Sequence, residues 1–137
     1  MIEITFYKDS FYEELKAILE ESKMFDEVWE ARESLKKKIS RDPQSILVAV
    51  EDEKIIGCIF IVEDGRSAFL WRLCVRESSR KKGVGSLLLV KSEEIIKSRG
   101  IKEVSLFANP KNNSLLEWYK GKNYLESGDW KFMYKKL

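Results

Sequence analysis

A run of apolar residues at 69–75 leads into a basic turn with two glycines, Arg80-Lys81-Lys82-Gly83-Val84-Gly85. Residues 83–98 then repeat their apolar positions as a helix does, and a second apolar run occupies 104–108. Strand, helix, strand in this order constrains the fold more than any other feature. The two strands should lie parallel in one sheet, joined by a right-handed crossover. The turn at the start of such a helix is a ready anion site, because its first amide groups have no partners within the helix and sit at the positive end of its dipole. Gly83 and Gly85 carry no Cβ to hold an oxygen-rich ligand away, and Arg80, Lys81 and Lys82 add positive charge.

Two familiar phosphate loops do not fit this turn. The P-loop pattern is absent, and the dinucleotide fingerprint G-x-G-x-x-G fails at its third glycine, where Leu88 stands. A third pattern, R/Q-x-x-G-x-G/A, is met in full by residues 80–85.

The rest of the chain reads as one α/β domain over residues 1–137. Residues 2–7 alternate as a strand. Ser10 and Glu13 have capping-box spacing ahead of a helix striped by Phe11, Tyr12, Leu15, Ile18 and Leu19. A second helix is expected after residues 22–24, with Phe25, Val28, Trp29, Leu35 and Ile39 on one side, stopped by Asp42-Pro43. Strands follow at 45–51, at 55–63 (apolar enough to be buried on both faces) and at 68–75, the last two joined by an Asp64-Gly65 hairpin turn. The 83–98 helix should turn Val84, Leu87, Leu88, Ile95 and Ile96 inward. A short helix capped by Asn113 or Ser114 carries Leu115, Leu116, Trp118 and Tyr119, and residues 124–126 and 130–136 read as a closing pair of strands. The expected architecture is a mixed, mostly antiparallel sheet with helices on both faces.

Composition removes several classes of function. With 44% hydrophobic and 35% charged residues the chain should fold, and a net charge of +2 marks no general nucleic-acid binder. The apolar runs are too short to cross a membrane, and residues 1–6 lack a signal-peptide plan, so a cytoplasmic protein is expected. There is no histidine, which excludes Ser-His-Asp and Cys-His nucleophilic sites and histidine as a general base. The two cysteines cannot build a disulfide framework or a four-ligand zinc site, so no metal is expected. If Asp64-Gly65 is a two-residue turn, Cys58 lies opposite Trp71. Cys74 would then stand on the other sheet face, about 10 Å away, leaving both thiols free.

The turn at 80–85 resembles the pyrophosphate-binding loop of the GNAT superfamily, the acetyl-CoA-dependent N-acetyltransferases. The resemblance extends along the chain: Leu73-Cys74-Val75 ends the strand before the loop, Asn112 precedes the last helix, Tyr119 follows seven residues later, and Asn123-Tyr124 stands where the family has Gly-Phe. It implies that Arg80, Lys81, Lys82, Gly83, Val84, Gly85 and Ser86 hold the pyrophosphate of acetyl-CoA. The pantetheine arm would pair with the backbone of Leu73, Cys74 and Val75, and a bulge near Cys74 or Val75 would free an amide for the acetyl oxygen. Tyr119 would be the general acid, and Asn112 would touch the pantetheine arm or cap the helix. The family glutamate on the strand before the loop is replaced by Phe69, so no base is assigned; Glu27, Glu30, Glu63 and Glu126 are acidic residues near the expected acceptor side.

The expected activity is direct transfer of an acetyl group from acetyl-CoA to a primary amine (a small molecule, or a protein N-terminus or lysine) without an acyl-enzyme. Phe25, Trp29, Trp71 and Trp130 are candidates for the acceptor site, although such aromatics more often fill a core. Cys74, inside a strand and without a histidine, reads as inert packing. A CoA-binding module without turnover stays open as an alternative, and an RNA-binding use of the basic turn is the weaker rival, since residues 76–86 hold no aromatic to stack on a base. Neither nucleic acid nor membrane is expected as a partner, and a homodimer stays open.

Overall fold

The computed structural model describes all residues, 1–137. It divides into two compact units, Met1–Leu106 and Phe107–Leu137. The first holds strands β1 (Glu3–Phe6), β2 (Ile46–Glu51), β3 (Lys54–Glu63), β4 (Ala68–Val75) and β5 (Val104–Leu106), with helices α1 (Tyr12–Glu21), α2 (Arg32–Arg41) and α3 (Val84–Ser98). The strands form one sheet in sequence order. β1 to β4 are antiparallel, and β5 runs parallel to β4 as the crossover requires.

Helices cover both faces of this sheet. A Cβ on Gly57 would meet Val84 and Leu88 of α3 at 3.2 and 3.1 Å, so α3 packs on the face to which position 57 points. Cys58, one residue on, points the opposite way and clusters with Leu15, Ile18 and Leu19 of α1. Those three leucine and isoleucine side chains are at most 1% exposed, which stabilises the α1 face by roughly 1.5–3 kcal/mol each. β3 carries buried residues from Ile55 through Ile61, as a central strand covered on both faces should.

Several local expectations are corrected. Ser10 lies within a short 3-10 turn (Asp9–Phe11), and α1 starts at Tyr12 without a side-chain cap, so the capping box does not form. The second helix does not begin near residue 25. The Asp26 carboxylate accepts hydrogen bonds from the amides of Val28 and Trp29, both at 2.9 Å, and this local bonding competes with helix until Arg32. On α3, Leu87 is exposed, and Leu89 and Ser92 are buried. The apolar run 87–90 wraps the helix and does not select a face.

The β3–β4 hairpin has a four-residue loop, not the expected two. Asp64 Oδ1 accepts from the amides of Arg66 and Ser67, and Gly65 is left-handed at φ +89°. Glu63 therefore pairs with Ala68.

In the second unit, helix α4 (Asn113–Gly121) is capped by Asn112, whose Oδ1 accepts from the Leu115 amide at 3.1 Å. Neither Asn113 nor Ser114 is the cap. Residues 124–126 and 130–136 form no strand, and β5 stops at Leu106, short of residue 108. Their alternation suits a strand, but a ladder needs a partner for every backbone group. Trp130, Phe132, Met133 and Tyr134 are instead exposed, with the Phe132 ring 5.3 Å from Phe107 and 6.0 Å from Tyr134.

Candidate functional site

β4 leads into the basic turn through a tight corner. The Arg76 amide donates to the Ile56 carbonyl, and Glu77–Ser79 makes one 3-10 turn. Two residues then take left-handed backbone, Lys81 at φ +65° and Gly83 at φ +80°. Left-handed residues set among others turn successive amides toward a common centre, a geometry that binds anions. Gly83 is the N-cap of α3 and supplies no side-chain acceptor for the amides that follow, and a Cβ placed on it would meet nothing within 4 Å. The cradle therefore has both unsatisfied donors and room.

The basic residues divide their work. Arg80 Nε donates to the Val75 carbonyl at 3.1 Å and braces the end of β4. Lys82 lies 3.7 Å from Glu51. Lys81 is exposed and makes no ion pair, which leaves it available to a ligand. Val84 is buried under the turn, and Gly85 and Ser86 begin the helix half-exposed.

Two features distinguish β4 itself. It pairs with β5 only at Ala68, Phe69 and Leu70. From residue 71 to 75 it keeps β3 on one side and has no strand on the other. Leu73, Cys74 and Val75 all lie in this stretch. Within it, Phe60 pairs with Trp71 and Cys58 with Cys74, so Arg72 and Leu73 stand opposite the single Ile59. This is a β-bulge, and it leaves backbone groups outside the ladder. Its first residue, Arg72, is left-handed at φ +54°, a conformation that costs a side-chain-bearing residue roughly 1–2 kcal/mol.

The bulge and the longer loop together correct the cysteine geometry. Cys58 lies directly opposite Cys74 on the same face, with the sulfurs 3.4 Å apart rather than about 10 Å. Both are free thiols and buried. The hydrogen bond to Cys74, and burial after it, push the Cys58 thiol well above its usual range, and that thiol donates to the Arg72 carbonyl at 3.3 Å.

Beside the bulge is a cavity of about 170 Å³ lined by Trp29, Glu30, Lys38, Phe60, Val62, Trp71 and Arg72. Trp29 meets Trp71 edge to face at 6.0 Å. Arg72 reaches Glu30 at 3.2 Å, and the Glu30 side chain is only 4% exposed. Glu30 is further fixed by the Asp26 amide at 2.9 Å, and its carbonyl accepts from the Tyr12 hydroxyl. Lys38 donates to the Ile61 carbonyl at 2.6 Å, and burial lowers its ammonium pKa to about 8. A larger hollow of about 520 Å³ lies at the far end of α3, around Lys97, Gly100 and Val104. At 15 residues, α3 puts it about 20 Å from the basic turn, too far to share its chemistry.

The acidic candidates are mostly committed elsewhere. Glu63 approaches Arg99 at 3.4 Å, Glu126 pairs with Lys120 at 3.3 Å, and Glu30 is held by Arg72. Glu27 is exposed on the loop. Trp130 is also exposed, whereas Trp29 and Trp71 line the cavity. In the second unit, Asn112 caps α4, and Tyr119 is buried, with Trp118 and Tyr124 rings packed edge to face against it. Burial pushes the Tyr119 hydroxyl up to about 12, so it stays protonated at neutral pH. No local sequence pattern marks a left-handed arginine or a buried lysine, so Arg72 and Lys38 become visible only in the fold. No cluster of metal-ligating side chains is present, and no helix is long and apolar enough to cross a membrane.

A left-handed glycine cradle follows a strand that parts from its parallel neighbour, so an anion site and an open strand edge lie side by side. The chain belongs to the acetyltransferase (GNAT) family, whose model matches residues 8–124. It is 22% identical over 123 residues to an acetyltransferase of Sodalis glossinidius, covering 90% of this chain and 87% of that one. An acetyltransferase of Yersinia enterocolitica is 23% identical over the same shares. Among solved structures, the fold resembles the PaiA N-acetyltransferase of Thermoplasma acidophilum in complex with coenzyme A. The TM-score is 0.80 at 24% identity, with 96% of this chain and 93% of that one covered. It also resembles Ard1 of Thermoplasma volcanium, at a TM-score of 0.82 and 18% identity, covering 93% and 84%.

Proposed function

We propose that this acetyltransferase carries an acetyl group from acetyl-CoA directly to a primary amine, with residues 1–137 acting as one transferase domain in the cytoplasm. The observation that carries the reading is the parting of β4 from β5 after Leu70, on the strand that feeds the left-handed turn. The cradle fits an anion: unsatisfied amides, space at Gly83 and the charge of Lys81 converge there. Residues 80–86 would hold the pyrophosphate, and the open edge at 73–75 would bond the pantetheine arm through its backbone, whatever the side chains. Acetyl-CoA, when bound, supplies an acetyl group on a thioester.

The acceptor amine would enter the cavity beside the bulge, which Trp29 and Trp71 line. An alkyl ammonium of pKa about 10 must lose a proton before its nitrogen forms the new C–N bond. As the C–S bond breaks, the acylated nitrogen sheds its second proton and the leaving sulfur takes one; we assign Tyr119 to give that proton and to be restored by the one the nitrogen sheds. The raised pKa of Tyr119 makes it a weak acid that is fully protonated at neutral pH. No carboxylate in the cavity is free to act as base, so water is the proton acceptor in this reading. Cys58 and Cys74 are buried thiols without a histidine, which favours direct transfer over an acyl-enzyme.

The test is thiol release from acetyl-CoA with a panel of small amines, free-N-terminal peptides and lysine peptides. Release with at least one class supports transfer and names the acceptor. Tight CoA binding with no release for any class would replace this reading with that of a binding module.

A further inference from the structure

We propose that the buried Glu30–Arg72 ion pair is a positioning device: it holds Arg72 left-handed and so keeps the β4 bulge in register with the loop that carries Trp29. The inference rests on the transfer reading above, which puts the acetyl carbonyl beside this stretch of β4.

A bulge of this form usually has glycine as its first residue, because a left-handed backbone is strained for any side chain with a Cβ. Arginine occupies that position here, so something outside the strand must hold it. Three contacts do so. The guanidinium reaches Glu30 at 3.2 Å, the Cys58 thiol donates to the Arg72 carbonyl, and the neighbouring Trp71 ring is met by Trp29. Glu30 is itself immobilised, through its carboxylate by the Asp26 amide and through its carbonyl by Tyr12. The pair therefore joins two segments more than 40 residues apart in sequence: the loop between α1 and α2, and the bulge. One of these bears on the acceptor. The other would present backbone amides of residues 73–75 to the acetyl oxygen as it gains negative charge. The buried carboxylate thus serves both the loop, through the Asp26 amide, and the strand arginine.

Two double variants isolate the backbone effect. Glu30→Gln/Arg72→Ala and Glu30→Gln/Arg72→Gly both remove the ion pair without leaving a buried charge, and they differ only in the Cβ at position 72. The alanine variant should lose its left-handed backbone, read in the free protein from the three-bond amide–Hα coupling of residue 72. It should also lose about tenfold or more in kcat, with CoA affinity unchanged. The glycine variant should keep the left-handed coupling and recover most of kcat. Thermal melts show whether both fold, and Arg72→Lys, which keeps a cation at Glu30, should be the mildest single change.

Equal losses in both double variants, with a raised acceptor KM, would overturn the proposal and make the pair a binding contact. Unchanged kcat in the alanine variant would overturn it as well. If the wild type releases no thiol with any amine, the transfer reading fails first. The coupling constant in the free protein still decides whether the pair holds the bulge.

Discussion

The basic turn at 80–86 and the loop at 24–31 both bear on β4, and they are built in opposite ways. The turn works with backbone: left-handed Lys81 and Gly83, uncapped amides and an empty space where a Cβ would be. The loop works with side chains: Glu30 on Arg72 and Trp29 on Trp71, each meeting its partner across a long separation in sequence. The difference teaches how each can vary. In the proposed reading a backbone cradle would hold one ligand, the donor, and tolerate change at most side chains. A side-chain wall can be recast residue by residue, which would suit the acceptor site proposed here.

The contrast breaks most visibly at Gly83. Gly83→Asp forces a negative side chain onto a backbone at φ +80° and into the space proposed for the pyrophosphate. Calorimetric titration should show CoA affinity falling at least about a hundredfold, from strain and charge repulsion together. Retained affinity in a folded variant would mean the donor binds elsewhere.

Tyr119→Phe comes next. It should lower kcat by about tenfold at saturating donor, at the low end of general acid–base effects because the hydroxyl is such a weak acid. An unchanged kcat would remove Tyr119 from the reaction. Trp29→Ala should raise the acceptor KM about threefold and leave CoA affinity alone, and a change in CoA affinity would blur the division between the two sides.

The smallest effect concerns Lys38 of α2, which lines the same cavity as Trp29 and Trp71. Its folded pKa of about 8 lies below the ordinary 10.5. Between those values the unfolded chain holds a proton that the folded chain lacks, so stability should rise with pH from about 8 toward 10. Urea unfolding at pH 7.5 and 9.5 should show this rise, and Lys38→Met should flatten it. The buried Cys58 thiol, held well above its usual value of 9.0, acts in the opposite direction from about pH 9, and above pH 10 the buried Tyr7 and Tyr119, both pushed up to about 12, join it; the difference between wild type and Lys38→Met isolates the lysine.

The same contrast explains what could be read before folding. The turn at 80–85, the crossover around it and the α1 stripe are local patterns, and they stand in the structure where the sequence places them. The β4 bulge is not local. The resemblance implies a bulge near Cys74 or Val75, whereas the structure has it at Arg72 and Leu73, opposite Ile59, and no spacing announces that position. Reading alternation straight through β4 therefore assigned Cys74 to the wrong face, because the extra residue at 72–73 reverses the parity of everything after it. The loop at 24–31 misled for a related reason. Phe25, Val28 and Trp29 have helical spacing, but Asp26 spends its carboxylate on two amides and ends the helix before it starts. Residues 124–136 alternate as strands do and still lack a ladder, since pairing is a property of two segments.

The parting of β4 from β5 after Leu70 also bears on how the protein behaves in bulk solution. A strand edge without a neighbour is a template for pairing with another chain. A donor lying along residues 73–75 would occupy that edge as a removable strand, protecting it by mass action. Concentrated protein without donor should then self-associate edge to edge, and light scattering should show it disperse as CoA is added.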